Sequence, residues 1–301
     1  MPFCLASGAA FGLMAVFGKL AYDEGATVGT LLSVRFALSA LVLAAVGARP
    51  LTRLSRRDVA TGLGLGAVGY AAPAGCYFAA LARIDAGLLS LLLYTFPAIV
   101  AVAAVALGRE RLEARRVTAL AVATTGLALV VGGGGALDPL GTSLGLAAAL
   151  LYSAYILVSD AITIRPLPLA ALVCTGAALT LTTASALAGE LRPADLTPAG
   201  WGWIAALALV STVGAIGLFF AGLRRTSPTT ASILAAVEPL VTVAGAWAAF
   251  GERLTPAQLA GGACVLAAVL VLQAQWVPWR GRSRSSPITG SPTSSPASSA
   301  P

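Results

Sequence analysis

The chain contains no histidine. That absence removes histidine metal sites, the usual nucleophile–histidine triads and a histidine pH switch. Charge is scarce as well: Asp, Glu, Lys and Arg make up 10% of the 301 residues, where an ordinary soluble domain has about 25%. So few charged groups cannot cover a water-facing surface, which argues against a soluble enzyme and against a nucleic-acid-binding domain. A disordered protein needs the opposite composition. The four cysteines, Cys4, Cys76, Cys174 and Cys264, all lie inside apolar runs and form no CxxC pair; they read as small packing residues. No metal and no cofactor is expected from this inventory.

What the chain does have is apolar length. It is 58% hydrophobic, with a mean hydropathy of +0.88. A helix crossing a bilayer core needs roughly 20 mainly apolar residues. Ten runs of about that length occur, at 3–20, 27–47, 58–80, 87–107, 116–134, 141–161, 169–188, 201–221, 229–249 and 259–277. Together they take up about two thirds of the chain, so no folded soluble domain fits beside them. Period-2 alternation in segments of about 10 residues, the mark of a membrane barrel, is missing. The expected fold is an all-α integral membrane protein of ten transmembrane helices. The first run lacks a basic leader, and Met1-Pro2-Phe3 enters apolar residues directly, so it reads as a span and not a signal peptide. Its start is short enough that a few native residues can precede it.

Arginine sets the orientation, because basic residues collect in cytoplasmic loops. With the N-terminus inside, the inner loops hold Arg49, Arg53, Arg56, Arg57, Arg109, Arg111, Arg115, Arg116, Arg165, Arg224 and Arg225, and the tail adds Arg280, Arg282 and Arg284. Both termini are expected in the cytoplasm of a cell with this protein in its plasma (bacterial inner) membrane. From Gly281 the composition turns to Ser, Pro, Thr, Ala and Gly, which cannot bury enough apolar area to fold. Its arginines would sit near anionic lipid headgroups.

The chain resembles itself. At a shift of 142, Phe96-Pro97 falls on Glu238-Pro239, Glu110-Arg111-Leu112 on Glu252-Arg253-Leu254, and Ser90-Leu91-Leu92 on Ser232-Ile233-Leu234. At a shift of 141, Phe11-Gly12 falls on Tyr152-Ser153. The matches include Pro, Glu and Arg, which generic Ala/Leu-rich helices do not supply. Two units are therefore expected, 1–135 and 136–279, followed by a disordered tail over 280–301. An odd number of spans per unit inverts one unit relative to the other, the architecture of an alternating-access carrier.

A mid-span proline followed by Glu-Arg-Leu, twice over in a ten-span chain, resembles the EamA-type proteins of the drug/metabolite transporter superfamily. The matching residues are Arg35-Phe36, Pro97 with Gly108-Arg109-Glu110-Arg111-Leu112, and Glu238-Pro239 with Gly251-Glu252-Arg253-Leu254. The resemblance spans residues 3–277 and departs at Phe96, where the second unit has Glu238. It implies transport of small organic solutes, a range that includes amino acids, purines and toxic compounds, and it implies no catalytic chemistry.

Charges at membrane depth mark the candidate site, since an Arg, Lys or Asp at a helix centre costs about 2.5–3.5 kcal/mol. Glu238 lies at the centre of its run: either a cavity carboxylate for a cationic group or a proton, or a structural acid paired to another helix. Arg35 reads as a binder of carboxylate or phosphate through its planar fork, or as a snorkelling or carbonyl-paired cation. Glu238 and Arg35 are expected to form one polar centre. Tyr94, Phe96, Tyr152, Tyr155 and Phe219 are expected to contribute a stacking wall, with Tyr77 and Trp247 as further aromatic candidates. Pro97 and Pro239 are expected to bend equivalent helices as gates. Lys19 is expected to snorkel at the outer interface, Asp160 to make a terminal contact, and Glu110 and Glu252 to cap the next helix or pair with the adjacent arginine. Trp201, Trp203, Trp276 and Trp279 read as belt residues. Gly132 to Gly135 reads as a helix stop. Small-xxx-small spacings such as Gly62 with Gly66 are compatible with a homodimer but too frequent to identify its face.

The expected function is a secondary transporter, an exporter, of a small organic solute, with proton coupling through Glu238 and no catalytic residues. Its partners would be the solute and the bilayer, with no nucleic acid. The alternative is a non-transporting membrane receptor or assembly protein on the same fold.

Overall fold

The computed structural model describes residues 1–47, 51–108, 114–132, 138–226, 231, 234 and 236–273. The tail, Glu110, Ser232, Trp276, Trp279 and the stop at Gly133–Gly135 lie outside the described residues. Among the described residues every regular element is helical. We number the helices α1 (Pro2–Asp23), α2 (Val28–Val46), α3 (Arg56–Leu81), α4 (Ala86–Ala106), α5 (Ala114–Gly132), α6 (Pro139–Ser159), α7 (Pro166–Leu187), α8 (Pro198–Leu223), α9 (Glu238–Phe250) and α10 (Pro256–Gln273). Seven of these, α1–α4 and α6–α8, are long and apolar enough to cross a membrane. α5 and α10 are shorter apolar helices.

Proline starts many of these helices, although Pro73 lies within α3. Pro2, Pro139, Pro166, Pro198 and Pro256 each open one, where the missing N–H is free of cost and the fixed φ suits the first turn. Side chains satisfy other exposed amides: Ser55 and Asp58 form a capping box on α3, Thr197 accepts from the Gly200 amide at 3.1 Å, and Thr255 pairs reciprocally with Gln258.

The two prolines at matching places in the halves, Pro97 and Pro239, follow the same rule, each standing just after a break and not at a bend within a helix. α4 is interrupted at Tyr94–Thr95 and resumes at Phe96, with Pro97 in its first turn. α9 begins at Glu238 with Pro239 in its first turn. Glu238 therefore sits at a helix start and not in mid-helix. Both resumed helices end on a glycine in the left-handed region, Gly108 (φ 67°) and Gly251 (φ 68°), which a side chain would strain.

The packing repeats when the two halves are exchanged. α1 meets α8 and α9 as α6 meets α3 and α4; α2 meets α7; α5 meets α10; α2 against α8 mirrors α7 against α3. The short-range details follow suit. Thr242 of α9 donates to the Gly12 carbonyl of α1 at 2.8 Å, and Ser153 of α6, the counterpart of Gly12, donates to the Phe96 carbonyl at 3.2 Å.

Small residues let these helices touch by their backbones, as helices without a hydrophobic driving force between them must. A Cβ on Gly176 of α7 would lie 2.1 Å from the Leu63 carbonyl oxygen, and one on Gly66 of α3 at 2.1 Å from that of Val173. The Gly62–Gly66 pair thus serves packing within the chain. Gly126 of α5 and Gly261 of α10 approach each other's carbonyls in the same way. Gly176→Ala must push two backbones apart. Overpacking of this kind costs about 1–3 kcal/mol, so we expect a thermal midpoint lower by about 3–10 °C in detergent; an unchanged midpoint would contradict the packing.

Candidate functional site

Where the halves meet lies a cavity of about 130 Å³, lined from α1, α2, α3, α4, α6 and α9. Its polar walls are Arg35 and Glu238. Arg35 is 2% exposed. Its Nε donates to Thr212 Oγ1 at 3.1 Å, and its guanidinium carbon stands 4.9 Å from the Phe36 ring centre and 5.1 Å from that of Phe78. A hydroxyl and two ring faces thus offset part of the cost of burying the cation. Among the described residues no carboxylate lies within ion-pair distance of Arg35, and no cation within that distance of Glu238.

Two local irregularities shape the site. α3 carries a π-helical segment at Leu65–Tyr70 and α8 one at Leu209–Gly214, places that overlap within two residues when the halves are aligned. Such segments often occur at functional positions. The first ends on Tyr70, which lines the cavity; the second holds Thr212, the partner of Arg35. The break in α4 and the start of α9 place Tyr94, Phe96 and Glu238 on the same cavity, where the positive end of the α9 dipole offsets part of the cost of a carboxylate.

Aromatic rings make up most of the remaining wall. Tyr94 contacts Phe96 edge-on at 5.8 Å, Phe96 contacts Tyr152 at 5.0 Å, Tyr152 stacks on Tyr155 at 5.9 Å, and Tyr155 meets Tyr70 at 5.1 Å. Rings in such edge and stacked pairs hold one another's orientation.

A second polar cluster ties the halves together away from the cavity. Lys19 of α1 pairs with Glu252 in the α9–α10 connection, lies 3.9 Å from Asp85, and sits 5.6 Å from the Phe250 ring centre. The other Glu252 oxygen accepts the Gly87 amide at 3.3 Å, in the first turn of α4. Nearby, Arg83 at the end of α3 pairs with Asp138, the N-cap of α6, at 3.2 Å. The Gly141 amide, then the arginine, hold the Asp138 carboxyl below its usual range.

A model of the EamA-like transporter family matches residues 1–132 and again 139–273. The chain belongs to the EamA-like transporter family. It is 31% identical over 195 residues, 65% of its own length and 70% of the relative's, to an uncharacterized transporter of Archaeoglobus fulgidus. A solved structure described only as the crystal structure of a protein shares the fold, with a TM-score of 0.60 and 20% identity over 89% of this chain and 94% of the other. The protein is thus a multi-pass membrane transporter built on two repeats.

The transporter's cavity gathers some of the residues singled out in the sequence and leaves others aside. Glu238, Arg35, Tyr94, Phe96 and Tyr152 line it, as does Tyr77. Tyr155 stands behind Tyr152 and Tyr70. Phe219 is not among the lining residues; its ring packs against Phe220 at 5.9 Å. Trp247 of α9 is 59% exposed and is not among the lining residues. Pro97 is next to Phe96, and Pro239 next to Glu238, each fixing the start of its helix. Sequence reasoning missed Phe11, Met14, Tyr70, Pro73, Ala74, Phe78 and Leu93 on the wall. Tyr70 had a legible signal, a hydroxyl in the middle of an apolar run; the others look like ordinary apolar residues.

Lys19 and Glu252 depart from expectation. Lys19 does not snorkel, because Glu252 reaches it. Glu252 caps α4 of the first repeat instead of the helix that follows it. Asp160 is exposed at the end of α6. The four cysteines are free, Cys4 and Cys174 buried, Cys76 and Cys264 half-buried. Lys19→Met leaves the Glu252 carboxylate, 9% exposed, with one amide donor. An uncompensated partner costs about 1–3 kcal/mol, so the midpoint should fall by several degrees, and a Lys19→Met/Glu252→Gln double variant should recover part of the loss. Equal midpoints in all three chains would contradict the pairing.

Proposed function

We propose that the transporter is a secondary carrier of a small organic solute, with its ten helices spanning the membrane as two inverted five-helix repeats. Each repeat then crosses an odd number of times, which suits the exchange of packing partners between halves. Alternating access follows: the breaks before Pro97 and Pro239 are paired points where one side of the cavity can close as the other opens.

The observation that carries the reading is the cavity between the repeats with Arg35 and Glu238 in its wall, neither in an ion pair among the described residues. Unpaired charges at this depth face a cavity or a partner. The solute should bear an anionic group for the Arg35 fork and a cationic or donor group for Glu238, with a flat or apolar body against the rings of Tyr70, Tyr94, Phe96 and Tyr152. Glu238 is the acid on the cavity wall and so the site for a coupled proton.

The test is flux in reconstituted vesicles, using a mass-tagged panel of small metabolites with and without a pH gradient. We expect saturable movement of at least one solute bearing both kinds of group. If nothing in a broad panel moves above empty vesicles, the carrier reading falls and a receptor role on this fold takes its place.

A further inference from the structure

We propose that the protein holds a phosphate-bearing headgroup at the membrane face where α2 joins α3 and α6 joins α7. A cavity of about 450 Å³ opens there, lined by Arg53, Leu54, Asp58, Thr163, Ile164, Arg165 and Pro168. It is separate from the solute cavity and shares no residue with it.

Two guanidinium groups define its chemistry. Arg53 comes from the α2–α3 connection and Arg165 from the residue that precedes α7. Neither is in an ion pair among the described residues. The one acid on the wall, Asp58, turns one oxygen to the cap of α3: its Oδ2 accepts the Ser55 hydroxyl at 2.8 Å and the Ser55 amide at 3.2 Å, so two cations stand against one carboxylate. Arg53 and Arg165 are exposed at the surface, as are Arg56 and Arg57 immediately beyond. An arginine cannot accept a hydrogen bond, so Arg165 leaves the start of the 22-residue α7 without a side-chain cap. The helix dipole then adds its positive end to the two cations. A planar fork matches phosphate oxygens in pairs.

The surroundings favour a lipid as the source of that phosphate. Leu54, Ile164 and Pro168 add an apolar part to the wall, beside the hydroxyl-bearing Thr163. At this end of α2, Leu41 is 70% and Val46 67% exposed, apolar surface for acyl chains at the level of a headgroup resting on the arginines. Basic pockets between membrane helices on the cytoplasmic side bind anionic headgroups by this division of labour. A free phosphate would use the arginines and not the apolar surface.

Thermal unfolding of the full chain in neutral detergent distinguishes these. Phosphatidylglycerol, phosphatidylcholine and inorganic phosphate are added in turn to the wild type, to Arg53→Gln/Arg165→Gln, and to Arg224→Gln/Arg225→Gln as a basic pair outside the cavity. Phosphatidylglycerol should raise the midpoint by several degrees over phosphatidylcholine in the wild type and the control pair, and by less than half as much in Arg53→Gln/Arg165→Gln. Inorganic phosphate should do nothing; a phosphate shift lost in the same double variant keeps the site and makes free phosphate its occupant. Native mass spectrometry, counting retained phosphatidylglycerol, gives the same comparison should the double variant unfold early. Equal phosphatidylglycerol shifts in all three chains, or none in the wild type, would overturn the site.

Discussion

Glu238→Gln yields a folded chain that moves its solute about tenfold to a hundredfold more slowly. The substitution keeps the shape of the side chain and removes its charge. Hydrogen bonds to a charged group are worth about 1.5–3 kcal/mol, and each 1.4 kcal/mol is about tenfold. The backbone at this point is held independently of the carboxylate: Thr242 donates to both the Gly12 and the Glu238 carbonyls, at 2.8 and 3.2 Å. No described cation pairs with Glu238, so stability should not suffer. Flux and thermal midpoint measured on the same preparation check both halves of the prediction. Full-rate flux at every pH would remove Glu238 from the site; a collapsed midpoint would make it a structural acid.

Arg35→Met separates function from stability still more sharply. Methionine fills much of the same volume between the Phe36 and Phe78 rings and carries no charge to bury. Replacing a buried ion by an apolar group of similar size is often neutral or stabilising, and here the ion has a hydroxyl, Thr212, and no described carboxylate for a partner. We expect a midpoint equal to or above that of the wild type, with solute affinity weaker by at least tenfold. Arg35→Lys should not rescue, because an ammonium lacks the fork. A chain that loses several degrees and keeps its affinity would show that Arg35 holds helices together and nothing more.

The fold was legible in the sequence to the extent that apolar length and repetition express it. The runs locate the helices, and the shift of 142 between Pro97 and Pro239 locates the equivalent breaks. What the sequence could not show is register between distant helices. Lys19 and Glu252 are 233 positions apart, and nothing in either neighbourhood announces the other. Phe219, the counterpart of Tyr77 at the shift of 142, shows where the halves differ: Tyr77 lines the cavity and Phe219 does not. The second repeat has Ala177 where the first has Arg35, and Ala236 where it has Tyr94. With alanine at those places it builds no matching wall, and the cavity lies mainly against the first repeat. The π-helical segments were invisible too, since Leu65–Tyr70 and Leu209–Gly214 are apolar runs like their neighbours. Yet they set the positions of Tyr70 and Thr212, and through Thr212 that of Arg35.

Thiol labelling at Ala74 tests most directly whether the cavity between the repeats is where the solute binds. Ala74 lines the wall without being one of its charged groups. With the four native cysteines replaced by alanine, Ala74→Cys is exposed to a small membrane-impermeant thiol reagent in vesicles, at rising solute concentration. The account predicts that the solute protects the thiol, with half-protection at the concentration that half-saturates flux. Labelling that stays the same at saturating solute, in a chain that still transports, would contradict it.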